Sequence, residues 1–287
     1  MPATYLGFRM AYGASRLLPS VAAFALADGL SDLQWRRAHA DRRAVQANLS
    51  LVCGRPVAAD AAAVREVFRN FGRYLLEFFS CSRIAEPRLA VEGEEHLAAA
   101  RRRGGAIILT AHLGNWELGA ACLQRLGVPM SVVALPHADA RTDRLFNALR
   151  RRHGMEVIPL GVPQATARCL RSLRAGRCLG LLGDRDFSGH EISATFCGRP
   201  VLLPRGPATL SLRAGAAVVP TFLLREGRWS FRLCIEPPIW PQRGTSAAGA
   251  IECLTQTYAG VMERYLKRYP EQWVMFRSAV DGWAVTA

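Results

Sequence analysis

The pattern of apolar and polar positions along the chain changes near residue 104. From there onward, short apolar runs alternate with helical patterns. The runs that predict buried strands lie at residues 106–110, 131–135, 156–159, 178–182, 217–224 and 231–235. Helical patterns lie at residues 115–126, 163–175, 206–213 and 247–268. This alternation predicts an α/β fold with a mostly parallel central sheet flanked by helices.

The chain before this point has helical patterns. Residues 5–30 indicate one or two amphipathic helices, residues 58–83 repeat apolar positions at spacings of three and four, and residues 91–103 indicate a polar helix. The sequence therefore predicts a helical N-terminal extension. We assign residues 1–90 to a helical, membrane-associating region and residues 91–287 to an α/β domain, joined in one continuous unit.

The N-terminal region has no run that matches the roughly 20 apolar residues of a spanning helix. Its longest candidate, residues 17–27, lies between Arg16 and Asp28 and is interrupted by Pro19. Two interpretations of residues 5–30 stay open, namely core helices and helices in a membrane interface. The aromatic and basic cluster that begins at Trp35 suits a lipid headgroup layer, and it also suits a solvated helix face.

The net charge of the chain limits the kinds of binding partner that we expect. The formal net charge is +14, and Lys267 is the only lysine among the 37 basic residues. Anionic lipid headgroups, an acidic carrier protein and nucleic acid are the candidate partners. We expect no nucleic acid, because Phe68, Phe71 and Phe78 fall on an apolar helix face rather than among basic residues.

The eight cysteines contain no Cys-x-x-Cys pair, and most lie in apolar segments. This pattern predicts free thiols in a reducing compartment, with no metal site. The cysteines lie at Cys53, Cys81, Cys122, Cys169, Cys178, Cys197, Cys234 and Cys253.

The sharpest chemical signal follows the first predicted strand. His112 comes directly after that strand, Gly114 permits a tight turn, and a helix begins near Asn115. Ligands of open α/β sheets bind beyond the carboxyl ends of the strands. Helix N-terminal amides there can bind an anion, and Glu117 can reach back to the imidazole. The alternative is a buried histidine beside a first-turn glutamate.

Several segments together point to a known family. The spacing of His112 and Glu117 is His-x-x-x-x-Glu, within the string Ile-Leu-Thr-Ala-His-Leu-Gly-Asn-Trp-Glu. Further matching segments are residues 147–159, Gly183-Asp184-Arg185-Asp186, residues 196–220 and Tyr269-Pro270-Glu271-Gln272-Trp273. In this order they resemble the bacterial lipid A biosynthesis (late) acyltransferase family of the lysophospholipid acyltransferase superfamily, which also includes phosphatidylinositol mannoside acyltransferases.

The resemblance implies transfer of a fatty acyl chain from acyl-ACP or acyl-CoA to a hydroxyl of a membrane glycolipid or lipid A precursor. His112 is then the general base, without an acyl-enzyme and without a cofactor beyond the co-substrate. Acyl carrier protein or a CoA thioester, a membrane glycolipid and an anionic membrane surface are the expected partners. The expected location is the cytoplasmic face of the bacterial inner membrane, bound peripherally.

The same resemblance assigns roles to site residues. Glu117 ranks first as the acidic partner of His112, and Glu191 ranks second. Gly114 and Asn115 supply the turn and amides for the oxyanion. The expected substrate-binding residues are Arg150, Asp184, Arg185, Asp186 and Arg205. Of these, Arg150 and Arg205 suit phosphate, and Asp184 is expected to orient Arg185 or a nearby loop.

One departure bears on the substrate. The lipid A enzymes continue the C-terminal motif with His-Arg-Arg, of which only Arg277 is present here. An acyltransferase for phosphatidylinositol mannosides, other glycolipids or lysophospholipids is therefore the alternative. A thioester hydrolase and a non-enzymatic basic binding protein are less favoured.

Overall fold

The computed structural model describes residues 5–80, 88–186, 189–242 and 246–279. Four helices come first: α1 (Tyr5–Leu17), α2 (Ser20–Arg37), α3 (His39–Cys53) and α4 (Ala62–Ser80). Strands and helices then alternate: β1 (Arg88–Glu92), α5 (Glu94–Arg101), β2 (Ile107–Thr110), α6 (Trp116–Arg125), β3 (Met130–Ala134), α7 (Ala140–Arg152), β4 (Glu156–Pro159), α8 (Ala165–Arg174) and β5 (Cys178–Leu182). The remaining elements are β6 (Glu191–Phe196), β7 (Arg199–Pro204), α9 (Gly206–Ala214), β8 (Val218–Gly227), β9 (Ser230–Ile235), α10 (Ala247–Arg268) and a 3-10 turn (Pro270–Gln272).

The strands confirm the predicted α/β class. Seven strands of the described chain form one sheet in the order β1-β9-β8-β2-β5-β3-β4. Its pairs are parallel except for β8 with β9, which form an antiparallel hairpin. Strands β6 and β7 make a separate antiparallel hairpin that packs on α10. The central strands are apolar runs because helices cover both of their faces.

Two apolar clusters fill the two faces of this sheet. Alternate residues of β2 divide between them, with Ile107 and Leu109 on one face and Ile108 on the other. Helices α8, α9 and α10 cover the first face, and α5 and α6 cover the second. The carboxyl edge of the sheet therefore lies between two helical layers.

The helical N-terminal extension is also observed, and ion pairs hold its second helix on α4. Arg65 and Arg69 of α4 both donate to Asp32 of α2, and Arg73 donates to Asp28. The predicted helix over residues 58–83 is described from Ala62 to Ser80, and its expected end, like Cys81, lies outside the described residues. The division at residue 90 stays a prediction.

The outer surface of α1 and α2 keeps large apolar side chains exposed. They are Leu6, Met10, Leu17, Val21, Leu26, Leu30 and Leu33. Within the described ranges, none of the helices is both long and apolar enough to cross a membrane.

The helix predicted over residues 91–103 begins later in the structure and is shorter, since α5 covers Glu94–Arg101. Val91 and Glu92 belong to β1, which pairs in parallel with β9 at the edge of the sheet. Helix α5 begins only at Glu94, after Gly93 adopts a φ of 81°. The five strand residues alternate between exposed and half-buried positions, and such a short edge pattern does not separate strand from helix.

Candidate active site

His112 and Asp184 come together because their strands are parallel neighbours in register. In the pairing of β2 with β5, Thr110 lies opposite Leu182. His112 and Asp184 each follow two residues later, so both leave the carboxyl edge of the sheet at the same point. The predicted location of His112 at this edge is therefore observed.

The Asp184 carboxylate makes three hydrogen bonds. Its Oδ1 lies 2.9 Å from Nδ1 of His112, and its Oδ2 accepts from the backbone N–H of His112 at 2.9 Å. Oδ2 also accepts from the indole Nε1–H of Trp273 at 3.0 Å. Burial acts to raise the pKa of Asp184, but the charge and hydrogen bonds of His112 and the Trp273 indole outweigh it and lower that pKa. Asp184 is thus an ionised partner for the imidazole.

This pairing differs from the one expected between His112 and Glu117. The Asp184 carboxylate bonds to His112, a contact that the sequence did not indicate, and Glu117 makes no described hydrogen bond to the imidazole. Glu117 is buried on the first turn of α6, where its two carboxylate oxygens accept from Nε of Arg150 at 3.1 Å each. Nη2 of Arg150 is also bonded to Glu117, and Nη1 donates to Asn147 at 2.8 Å. Much of the Arg150 guanidinium predicted to bind phosphate is therefore engaged within the protein.

The turn after His112 is tight, as expected. Gly114 has a φ of 63°, and a Cβ there would lie 1.9 Å from the carbonyl oxygen of Leu223. Asn115 is the N-cap of α6, and its Oδ1 accepts from the backbone N–H of Leu118 at 3.1 Å.

The oxyanion role predicted for the amides of this turn is not available to two of them. The N–H of Gly114 donates to the carbonyl of Gln272, and the N–H of Asn115 donates to the carbonyl of Leu223, each at 3.0 Å. These bonds fix the turn against β8 and the 3-10 turn. The turn therefore supports His112 and does not offer these two donors to a substrate.

The other predicted residues lie beyond β5 and on the β6–β7 side. Arg185, Asp186 and Arg205 line the cavity described below. Burial and then Arg277 lower the pKa of Arg185. Glu191 begins β6, and the described lining of the cavity does not include it. Burial and the nearby Asp186 raise the pKa of Glu191.

A cavity of about 970 Å³ opens beside His112. Its deep part reaches residues with no more than 2% exposure in the core between the sheet and α6, namely Leu123, Met130, Leu223 and Leu233. Arg205 and Arg213 lie exposed at its rim, and Phe8 of α1 forms another part of the wall. The site thus joins a histidine–carboxylate pair to an apolar chamber with a basic rim.

Two contributors were missed from the sequence. Trp273 belongs to the C-terminal motif, but that motif does not predict the hydrogen bond of its indole to Asp184. Tyr74 of α4 stacks on Trp116 at 4.2 Å between ring centroids, and the Trp116 ring lies 5.0 Å from that of His112. The aromatic spacing along α4 predicted a core face and did not indicate this contact.

Comparisons with known proteins show the family to which the chain belongs. A family model described as bacterial lipid A biosynthesis acyltransferase matches residues 3–279. A phosphatidylinositol mannoside acyltransferase of Mycobacterium tuberculosis is 30% identical over 251 residues, which cover 83% of this chain and 77% of that protein. A protein of the same name from Mycolicibacterium smegmatis is 26% identical over 285 residues, covering 96% of this chain and 90% of its own. With a match along nearly its whole length, the chain belongs to the bacterial lipid A biosynthesis acyltransferase family and is an acyltransferase.

Proposed function

We propose that this protein transfers a fatty acyl chain from an acyl-ACP or acyl-CoA thioester to a hydroxyl of a membrane glycolipid, with His112 as general base. The observation that carries the proposal is the His112–Asp184 pair at the wall of an apolar cavity. A base held in place beside a chamber for a hydrocarbon chain is what acyl transfer to a hydroxyl requires.

The hydrogen bond at Nδ1 determines which nitrogen acts. Because the Asp184 carboxylate is ionised, Nδ1 of a neutral imidazole carries the proton and donates it to that carboxylate. Nε2 then has the free lone pair. It accepts the proton of the acceptor hydroxyl while the hydroxyl oxygen attacks the thioester carbonyl carbon. The carbon–sulfur bond breaks, and the imidazolium returns the proton to the departing thiolate.

The cavity chemistry supports direct transfer. The Cys169 thiol lines the cavity, and burial raises its pKa to about 11. At neutral pH it is therefore almost wholly protonated and a poor nucleophile. In this proposal the acyl group passes from sulfur to the acceptor oxygen without a covalent enzyme intermediate.

The two regions of the cavity suit the two parts of an acyl donor. The fully buried apolar residues receive the hydrocarbon chain, whose burial is worth about 0.8 kcal/mol per methylene. Arg205 and Arg213 at the rim suit the phosphate of a phosphopantetheine arm or of a lipid headgroup. Glu117 acts in this proposal through Arg150, and the catalytic role of Glu191 stays a prediction.

A glycolipid of the phosphatidylinositol mannoside class is the first acceptor to test, because the curated relatives carry that name. A lipid A precursor is the second, because of the family. Both acceptors reside in a membrane. Phe8 lines the cavity while Leu6 and Met10 of the same helix are exposed, so α1 can contact lipid beside the entrance. We propose peripheral binding on the cytoplasmic face of the inner membrane.

The test is an acyl-transfer assay with acyl-ACP and acyl-CoA against detergent-dispersed membrane lipids, read by mass spectrometry. Wild-type protein should form an acylated glycolipid, and His112→Ala should lose at least about a hundredfold in rate. Release of free fatty acid in place of lipid product would identify a thioester hydrolase instead. A folded His112→Ala variant with more than about a tenth of the wild-type rate would refute the base assignment.

A further inference from the structure

A buried ion pair lies behind the turn that follows His112. Glu77 of α4 is fully buried, and its Oε1 and Oε2 accept from Nε and Nη2 of Arg225, on β8, at 2.6 and 2.8 Å. Taking two charges out of water costs several kcal/mol per ion, and apolar residues of similar volume often stabilise a fold as well or better. Stability by itself therefore does not explain why charges occupy this place.

Glu77 bonds directly to the turn. Nδ2 of Asn115 donates to Glu77 Oε2 at 2.9 Å, while Oδ1 of the same side chain caps α6. The carboxylate thus holds the residue that stands three positions after His112. The orientation of the Asn115 amide follows from this bond, because only its nitrogen end can donate to a carboxylate.

Arg225 reaches the same turn from the other side. Its backbone N–H donates to Oε1 of Gln272 at 2.9 Å, and Nε2 of Gln272 donates back to the carbonyl of Arg225 at 2.9 Å. The carbonyl of Gln272 in turn accepts from the N–H of Gly114. The ion pair is therefore connected to both Gly114 and Asn115.

We propose that Glu77 is a positioning residue for acyl transfer. Through Asn115 and Arg225 it holds the turn in the place that aligns His112 with Asp184 and with the cavity. The inference rests on the proposed role of His112. It also gives α4 a part in the active site, although its sequence pattern indicates only a core helix.

The test is Glu77→Gln, which keeps the shape of the side chain and removes its charge. A base displaced by about 1 Å can cost on the order of a hundredfold in rate. We expect kcat to fall at least about tenfold while KM for the acyl donor stays within about twofold, because the cavity is unchanged. Circular dichroism and thermal unfolding verify that the variant folds.

Asp32→Asn is the matched control. It removes a carboxylate that binds two α4 arginines, Arg65 and Arg69, away from the turn. With acceptor in detergent, this control should keep kcat within about twofold of wild type. An equal loss in the control, a kcat of Glu77→Gln near wild type, or a change confined to KM would each overturn the inference.

Asn115→Ser supplies a second measurement that leaves the Glu77–Arg225 pair in place. Serine can still cap α6, but it lacks the amide that bonds Glu77. If Glu77 acts through Asn115, the double variant should be about as slow as the slower single variant, and multiplied losses would contradict the coupling. If Glu77→Gln fails to fold, the Asn115→Ser variant tests the inference by itself. Its kcat should fall while its KM stays unchanged, and a wild-type kcat would overturn the inference.

His112→Ala is assayed in parallel. Full activity there would refute the proposed base itself, whereas an inactive His112→Ala with unaffected Glu77 and Asn115 variants would refute only the role of Glu77.

Discussion

The Asp184 carboxylate holds His112 at two points, one on the ring and one on the backbone. Oδ1 lies 2.9 Å from Nδ1, and Oδ2 accepts from the backbone N–H at the same distance. A single carboxylate therefore orients both the side chain and the strand end that carries it.

Asp184→Asn should reduce kcat by about 10²–10⁴-fold. An asparagine can turn its amide N–H toward Nδ1, which would leave the proton on Nε2 and block its action as a base. Steady-state kinetics with a matched Asp60→Asn control, at an exposed position outside the site, measures the difference, and that control should stay within about twofold. A rate for Asp184→Asn within tenfold of wild type would contradict the proposed pair.

Glu117→Gln should destabilise the fold by about 3–5 kcal/mol, because it leaves the buried Arg150 guanidinium without its counter-charge. Urea unfolding measures the change. The comparison is Glu226→Gln, which breaks an exposed pair with Arg232 and should cost far less stability because solvent screens that pair. Equal losses of unfolding free energy in the two variants would contradict a larger contribution of the buried pair to stability.

Gly180→Val should shift the preferred donor toward shorter acyl chains. Gly180 lines the cavity, and a Cβ there would lie 3.4 Å from Cγ1 of Val132 and 3.6 Å from Cε of Met130, so the fold has room for it. Each methylene that loses its place should lower kcat/KM by about fourfold. A donor series of increasing chain length measures the profile. Gly260→Val, where a Cβ meets nothing within 4 Å, should leave it unchanged.

Leu17→Glu combined with Val21→Glu should weaken binding to vesicles that contain phosphatidylglycerol. Both side chains are exposed, at 84% and 61%, and each buried apolar side chain contributes about 1.5–3 kcal/mol. Co-sedimentation at low salt is the measurement. Leu126→Glu, at the exposed end of α6, is the control and should bind as wild type does.

Salt concentration separates the electrostatic contribution to vesicle binding from the contribution of apolar burial. The Debye length falls from about 10 Å at 0.1 M to about 3 Å at 1 M, so the contribution of the arginines should decrease while apolar burial persists. If the double variant sediments as well as wild type, the α1–α2 surface is not the membrane contact.

Acid should destabilise the protein partly through Asp32. Hydrogen bonds from Arg65 and then Arg69 lower the pKa of this carboxyl in the folded state. A carboxyl with a lowered folded pKa adds stability above its unfolded pKa of about 3.9, and this stability is lost as pH falls toward the folded value. Thermal unfolding between pH 6 and pH 3 should show a smaller decrease for Asp32→Asn than for wild type. Parallel curves would contradict this assignment.

The local pattern of the chain was sufficient for much of the architecture. Apolar runs of four to eight residues predicted the sheet strands β2 to β5, β8 and β9, because a strand covered on both faces must be apolar throughout. The turn at Gly114 and the position of His112 beyond β2 also followed from the sequence. The edge strand β1 did not, since its five residues alternate only between exposed and half-buried positions and show too weak a period.

The partners of the site residues were decided only by the tertiary structure. Asp184 is 72 residues from His112, and it becomes the partner because β5 is the neighbour of β2 in a sheet whose strand order is not the chain order. Glu117, five residues from His112, is instead drawn to Arg150 of α7. Glu77 and Arg225 are 148 residues apart and look like polar positions on an ordinary helix and strand. Periodicity determines which face of an element is buried, but the sheet order and helix packing determine which buried charge another one meets.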